Sequence, residues 1–228
     1  MEKLARSLLE ELNVETAFTI PLFGGIPVSE SVFVTWIVMA ILILAAFLLG
    51  RNLRVRNPGR RQQIAELIVT KLDAFTKGTL GEEATEYSTY MASVLLFIGF
   101  VNLTGIFGMK PPTKDLNIPA ALAVMSIVLV EAAGIRAFGL GGWMKRFAKP
   151  MAILTPINIL EIFIRPLSLC MRLFGNVLGA FVIMELVTLV VPVGVPAILY
   201  LYFDVFDGLI QAYVFVFLTS LYIAEAVE

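Results

Sequence analysis

The stretch ILTPINILEIFIRPLSLCMRLFGNVLGAFVIMELVTLVV, residues 153–191, decides the fold. It is apolar almost throughout. At 1.5 Å rise per residue it makes a helix of about 57 Å, against a bilayer hydrocarbon core of about 30 Å. Such a helix must be tilted, kinked or broken, and Pro156 and Pro166 are the candidate kink points. The segment after it, residues 195–226, is also overlong at about 48 Å by the same rise. The two are joined by VPVGVP. Two overlong neighbours with so short a link predict a long, tilted helical hairpin.

Outward from this pair, three further apolar runs have spanning length: residues 32–49, 90–107 and 118–138. The composition agrees. Of 228 residues, 59% are hydrophobic and only 15% charged, where a soluble domain carries about 25% charged residues. Mean hydropathy is +0.89. No single soluble core could bury that much apolar surface, so lipid is the solvent. The expected fold is an all-α integral membrane protein of five transmembrane helices, one membrane domain over residues 1–228. There is no histidine, the usual proton carrier near neutral pH. The single cysteine, Cys170, sits in an apolar run and reads as a buried small hydrophobe.

Residues 1–31 form the N-terminal segment, and its opening MEKLARSLLEELNVE has too many acids and no continuous apolar core for a cleaved signal peptide. Leu4, Leu8 and Leu12 there predict a short surface helix. Residues 51–88 carry Arg51, Arg54, Arg56, Arg60, Arg61, Lys71 and Lys77, with Ile64, Leu67, Ile68 and Leu72 at helical spacing. That pattern predicts an amphipathic helix lying on the inner leaflet. A second basic loop holds Arg136, Lys145, Arg146 and Lys149, so the two loops together carry eleven of the seventeen Lys and Arg residues. The positive-inside rule then places the N-terminus outside and the C-terminus in the cytoplasm.

A charge at the bilayer centre is unfavourable by at least about 2.5–3.5 kcal/mol, so it persists where it faces protein or water and does something. Glu131, Glu161, Arg165, Arg172, Glu185, Asp204 and Asp207 all fall inside apolar segments. At 100° per residue, Glu161, Arg165, Ser168, Arg172, Asn176 and Gly179 lie within about 80° of one another. They form one polar stripe, flanked by Gly175, where small residues admit a close partner helix. Asp204, Asp207 and Gln211 share a face of the next segment at i, i+3 and i+7. If the two helices pair, the stripes line a water-filled path. Glu161 and Arg165 at i, i+4 equally suit a plain internal salt bridge. Arg172 has no acid one turn away on its own helix; a stabilising role needs a partner elsewhere, for which Asp204 or Asp207 could serve, and transport is the favoured reading. Glu131 is read as a packing or snorkelling residue, and Glu185 lies off the stripe.

RPLSLCMRLFGNVLGA, residues 165–180, closely resembles the signature of the subunit a family of F-type ATP synthases. LIQAYVFVFLTSLYIAEA, residues 209–226, is similar to that family's last helix, and PTKDLNIPAALA, residues 112–123, is a weaker match at the start of the third span. The resemblance runs through most of the chain in span order. It implies that Arg172 faces a ring of c subunits, each carrying a carboxylate at mid-membrane. It implies that Asn176 and Gln211 are polar positions beside the arginine. Asp204 falls where some members have an ionisable residue in the outer half-channel. Glu161 resembles an acid of the inner half-channel. Some members have an acid or histidine where this chain has Phe181, and Glu185, one turn on, could substitute. Asp207 has no evident counterpart but could serve the outer path. The resemblance further implies b subunits of a peripheral stalk and, indirectly, the catalytic head as partners. It implies coupling to protons or sodium. The N-terminus shows no transit-peptide pattern, from which a prokaryotic plasma membrane location is expected, although an organelle-encoded copy would share that trait.

Other readings fit less well. A secondary transporter predicts internal repeats or paired broken spans. A self-contained channel predicts symmetric copies and a filter. A purely structural protein predicts no acid–arginine stripe on its two longest helices. No phosphate loop, metal cluster or triad is present, so no ATP hydrolysis by this chain alone, no bound cofactor and no nucleic-acid partner are expected.

Overall fold

The computed structural model describes residues 16–20, 26–51, 53–54, 59–107, 109, 111–146, 155–191 and 194–228. The predicted surface helix around Leu4, Leu8 and Leu12 lies outside them. Among the described residues, five helices are long and apolar enough to cross a membrane. They begin after a feature that the sequence pattern missed: strands β1 (Thr16–Ile20) and β2 (Ile26–Ser29) pair antiparallel. These strands fall within residues 1–31, where no strand was expected.

Helix α1 (Glu30–Gly50) starts on Ser29, whose Oγ accepts from the Val32 N–H at 3.3 Å. Only Val34 and Val38 are buried, while Trp36, Ile43, Leu44 and Phe47 are exposed. A helix apolar all round with one narrow buried edge needs lipid on its remaining faces. Helix α2 (Arg60–Leu80) stops at Gly81, which takes φ 74° and donates its N–H to the Lys77 carbonyl. Its second half packs inward through Thr76 and Leu80. Ile64, Leu67 and Ile68, the apolar positions of its first half, remain exposed. Ser88, at the head of α3 (Ser88–Asn102), donates to Asp73 at 2.7 Å and lies 2.6 Å from the Thr76 hydroxyl, tying α3 to α2.

The predicted 90–107 span is α3 plus a 3-10 turn, Leu103–Phe107. Helix α4 (Asn117–Arg146) is capped by Asp115, which accepts from the Asn117 N–H at 3.0 Å. It outruns the predicted 118–138 span because the chain, after a break at Gly139 (φ 70°, ψ 167°), resumes helical geometry. Helix α5 (Thr155–Val190) covers the predicted long segment. Pro156 sits in its first turn, where a missing N–H breaks nothing. Pro166 lies in its interior and removes a hydrogen bond to the preceding turn.

The last segment is not the regular helix that 195–226 predicts. It runs as α6 (Val195–Leu201), a π-helical turn (Tyr202–Asp207) and α7 (Gly208–Val227). Helix α7 is the centre of the bundle and touches α2, α3, α4 and α5. Ala212, Phe215, Val216, Thr219 and Ile223 are its buried ridge. Gly99 of α3 sits against it, so close that a Cβ there would meet Leu209 at 3.7 Å. Helix α5 packs chiefly on α4, burying Leu169, Cys170 and Leu173. It runs antiparallel to α6–α7, since Arg165 meets Glu225 and Asn176 meets Asp207.

Candidate functional site

The stripe on α5 borders two cavities. The larger, about 450 Å³, lies at the Glu161 end, between α4, α5 and the end of α7. Arg165 fills its wall. Its Nη2 donates to Glu161 Oε2 at 2.7 Å and to Glu225 Oε1 at 2.8 Å, and its guanidinium lies 4.8 Å from the centre of the Tyr222 ring. The Glu161 contact follows from helix spacing alone. Glu225 was not among the residues expected here. A signal existed: it falls two heptads after Gln211 and so on the same face of α7. Glu131, also expected only to pack, borders this cavity too.

The smaller cavity, about 260 Å³, lies at the other end and brings together Asn176, Asp204, Asp207 and Gln211. The π turn carries both aspartates. There the Gly208 N–H reaches back to the Phe203 carbonyl, a wider loop than an α-turn makes. Asn176 Nδ2 donates to Asp207 Oδ2. Asp204 lies against the backbone of Gly105, where a Cβ would stand 2.8 Å from Asp204 Cγ. Asn102, buried, donates to the Gly208 carbonyl at 2.8 Å and accepts from the Thr113 hydroxyl at 3.0 Å. That fixes the start of α7 to the end of α3. Gln211 Oε1 is buried with no hydrogen-bond partner among the described residues. Lys114 also borders this cavity, with Nζ 4.4 Å from the centre of the Phe181 ring. Gly105, Asn102 and Lys114 gave no periodic signal in the sequence, because they sit in or beside irregular turns.

Arg172 lies on α5 between the two cavities, two turns past Arg165 and one before Asn176. It is exposed and makes no ion pair or hydrogen bond among the described residues. Glu185 borders neither cavity, so the structure does not group it with the other acids. The result is two polar chambers, each holding carboxylates that can take up a proton or a cation. A permanently charged, outward-facing guanidinium stands between them.

Comparison with known proteins shows the family. The sequence matches the family described as ATP synthase A chain over residues 32–224. It is 38% identical over 206 residues to ATP synthase subunit a of Moorella thermoacetica, covering 90% of this chain and 94% of that one. It is 36% identical over 219 residues to the sodium ion specific ATP synthase subunit a of Propionigenium modestum, covering 89% and 75%. With subunit a of Nitratidesulfovibrio vulgaris it shares 35% over 223 residues, 95% and 93% of the two chains. The chain therefore belongs to the ATP synthase A chain family, the ion-translocating stator subunit of the F-type ATP synthase.

Proposed function

We propose that the two cavities are the two half-channels and that Arg172 separates them at the surface of a rotating ring of c subunits. The observation that carries this reading is the exposed Arg172, without a partner among the described residues, between two acid-lined chambers. A ring carboxylate can face lipid only when neutral. On reaching Arg172 it ionises, because a fixed positive charge favours the carboxylate form. Its ion leaves through one chamber, and a new ion enters from the other. Arg172 itself cannot lose its charge, so no ion passes directly between the chambers.

Asp204, Asp207, Asn176 and Gln211 serve the outer path, and Glu161 serves the inner one. Glu185 joins the outer path only if it reaches the smaller cavity in the assembled complex. Each elementary charge crossing 100 mV releases about 2.3 kcal/mol, which the rotor delivers to the catalytic head. The chain itself is non-catalytic. Its partners are the c-ring, the b subunits of the peripheral stalk and, through these, the head. It resides in the plasma membrane of a prokaryote with its C-terminus in the cytoplasm, as the basic loops require.

ATP-driven ion uptake into inverted membrane vesicles tests the reading. Arg172→Ala complexes that assemble normally should not pump, and the response to sodium names the coupling ion. Normal uptake by Arg172→Ala would falsify the mechanism.

A further inference from the structure

Helix α4 carries a pair of side chains that the half-channel reading leaves unused. In an unbroken helix Glu131 and Trp143 would stand about 18 Å apart along the axis. The break at Gly139 turns the tail of α4 back, and Trp143 Nε1 donates to Glu131 Oε2 at 2.6 Å. Gly142 belongs to the same turn: a Cβ there would lie 2.7 Å from Phe138 Cβ. Both Glu131 and Trp143 thereby border the larger cavity, beside Glu161, Arg165 and Glu225.

Four glutamates border that cavity. Glu228 is exposed just past the end of α7, and the other three are not equivalent. Glu161 and Glu225 are both bonded to Arg165. Arg136, nearest Glu131 along the chain, is drawn off to Glu86 at 3.1 Å. Glu131 is left with a neutral indole as its partner among the described residues. A carboxylate bound to a guanidinium resists a proton or a second cation, since taking one up breaks the ion pair. One held by a single neutral donor keeps lone pairs open to an incoming ion. The indole can donate but cannot accept, so it fixes the carboxylate without competing for that ion.

We propose that Glu131 is the exchangeable carboxylate of the larger cavity, passing the coupling ion between the ring and water, and that Trp143 is the residue that positions it. The inference rests on the half-channel reading above. A proton released from the ring binds Glu131 as a neutral carboxylic acid and leaves to water, which restores the carboxylate. Glu161 and Glu225 keep their ion pairs with Arg165, so Glu161 serves the inner path as part of its polar wall.

The test uses whole assembled complexes in inverted vesicles. Glu131→Gln should lower the initial rate of ATP-driven uptake by about tenfold or more, the scale of a positioned proton-transfer group. Glu131→Asp should restore much of that rate. Trp143→Phe keeps the aromatic bulk and removes the N–H, so the pH of half-maximal uptake should move. With a sodium-coupled complex, the half-maximal sodium concentration should move instead. Val128→Leu, exposed on α4 and outside the cavity wall, should leave it in place. Full uptake with an unmoved profile in Glu131→Gln and Trp143→Phe overturns the proposal and returns the pair to packing. If Glu131→Gln fails to assemble, an unmoved profile in both Glu131→Asp and Trp143→Phe overturns it. In either case loss of uptake by Arg172→Ala leaves the half-channel reading standing, whereas normal uptake by Arg172→Ala removes the ground for both.

Discussion

Two arginines stand two turns apart on one face of α5, and their surroundings differ completely. Arg165 is closed in: its side chain is 19% exposed, bridges two glutamates and lies over a tyrosine ring. Arg172 is exposed and touches no acid among the described residues. A charged group inside an apolar bundle needs partners. Among the described residues the fold supplies them to Arg165 and not to Arg172, which in the proposed mechanism meets its partner on the c-ring. The difference separates a residue that ties helices together from one whose charge is left exposed.

The sharpest way to break this comparison is to replace each arginine by glutamine. Arg172→Gln should abolish ATP-driven uptake while the complex assembles at its normal level. Arg165→Gln should do the reverse in kind, lowering the amount and heat resistance of the assembled complex before it lowers uptake per complex. The expected loss of stability is about 1–3 kcal/mol, because the guanidinium is shielded while Glu161 and Glu225 are about half exposed. Quantifying subunit a in membranes by immunoblot, next to uptake rates, separates the two effects. Equal assembly defects in both variants would erase the distinction.

A smaller effect is expected at the other cavity. Gly105→Ala puts a methyl group into the Asp204 carboxylate. Such overpacking is unfavourable by about 1–3 kcal/mol where neighbours cannot move. Here the carboxylate can swing away, so uptake should suffer more than assembly. Asp204→Ala made in the Gly105→Ala background should recover normal assembly, a result read directly on blue-native gels.

The smallest effect concerns α2, outside the membrane spans. Lys77 at 2.6 Å and then Ser88 hold the Asp73 carboxyl below its usual range. A carboxyl with a lowered folded pKa stabilises the fold above its unfolded pKa, and that contribution is lost as the pH falls through the folded value. Asp73→Asn should therefore melt slightly lower than the parent near neutral pH. The gap should close as the pH drops below the usual carboxylate range. A gap that stays constant with pH would mean that the carboxylate charge is irrelevant there.

The sequence by itself determined the five spans, the polar stripe on α5, the acid face of the last segment and the family. Each is a local or periodic property: hydropathy over a run long enough to cross lipid, a 100° step per residue, a short motif. Only the tertiary structure decided the rest. Glu225 is recruited to Arg165 from sixty residues away. The π turn takes the place of a regular helix where Asp207 meets Asn176. Gly139 folds Trp143 back on Glu131, and β1 pairs with β2. A charge can be read from one position, but its partner depends on which helices pack together. That is set by contacts between segments distant in sequence, for which no local pattern exists.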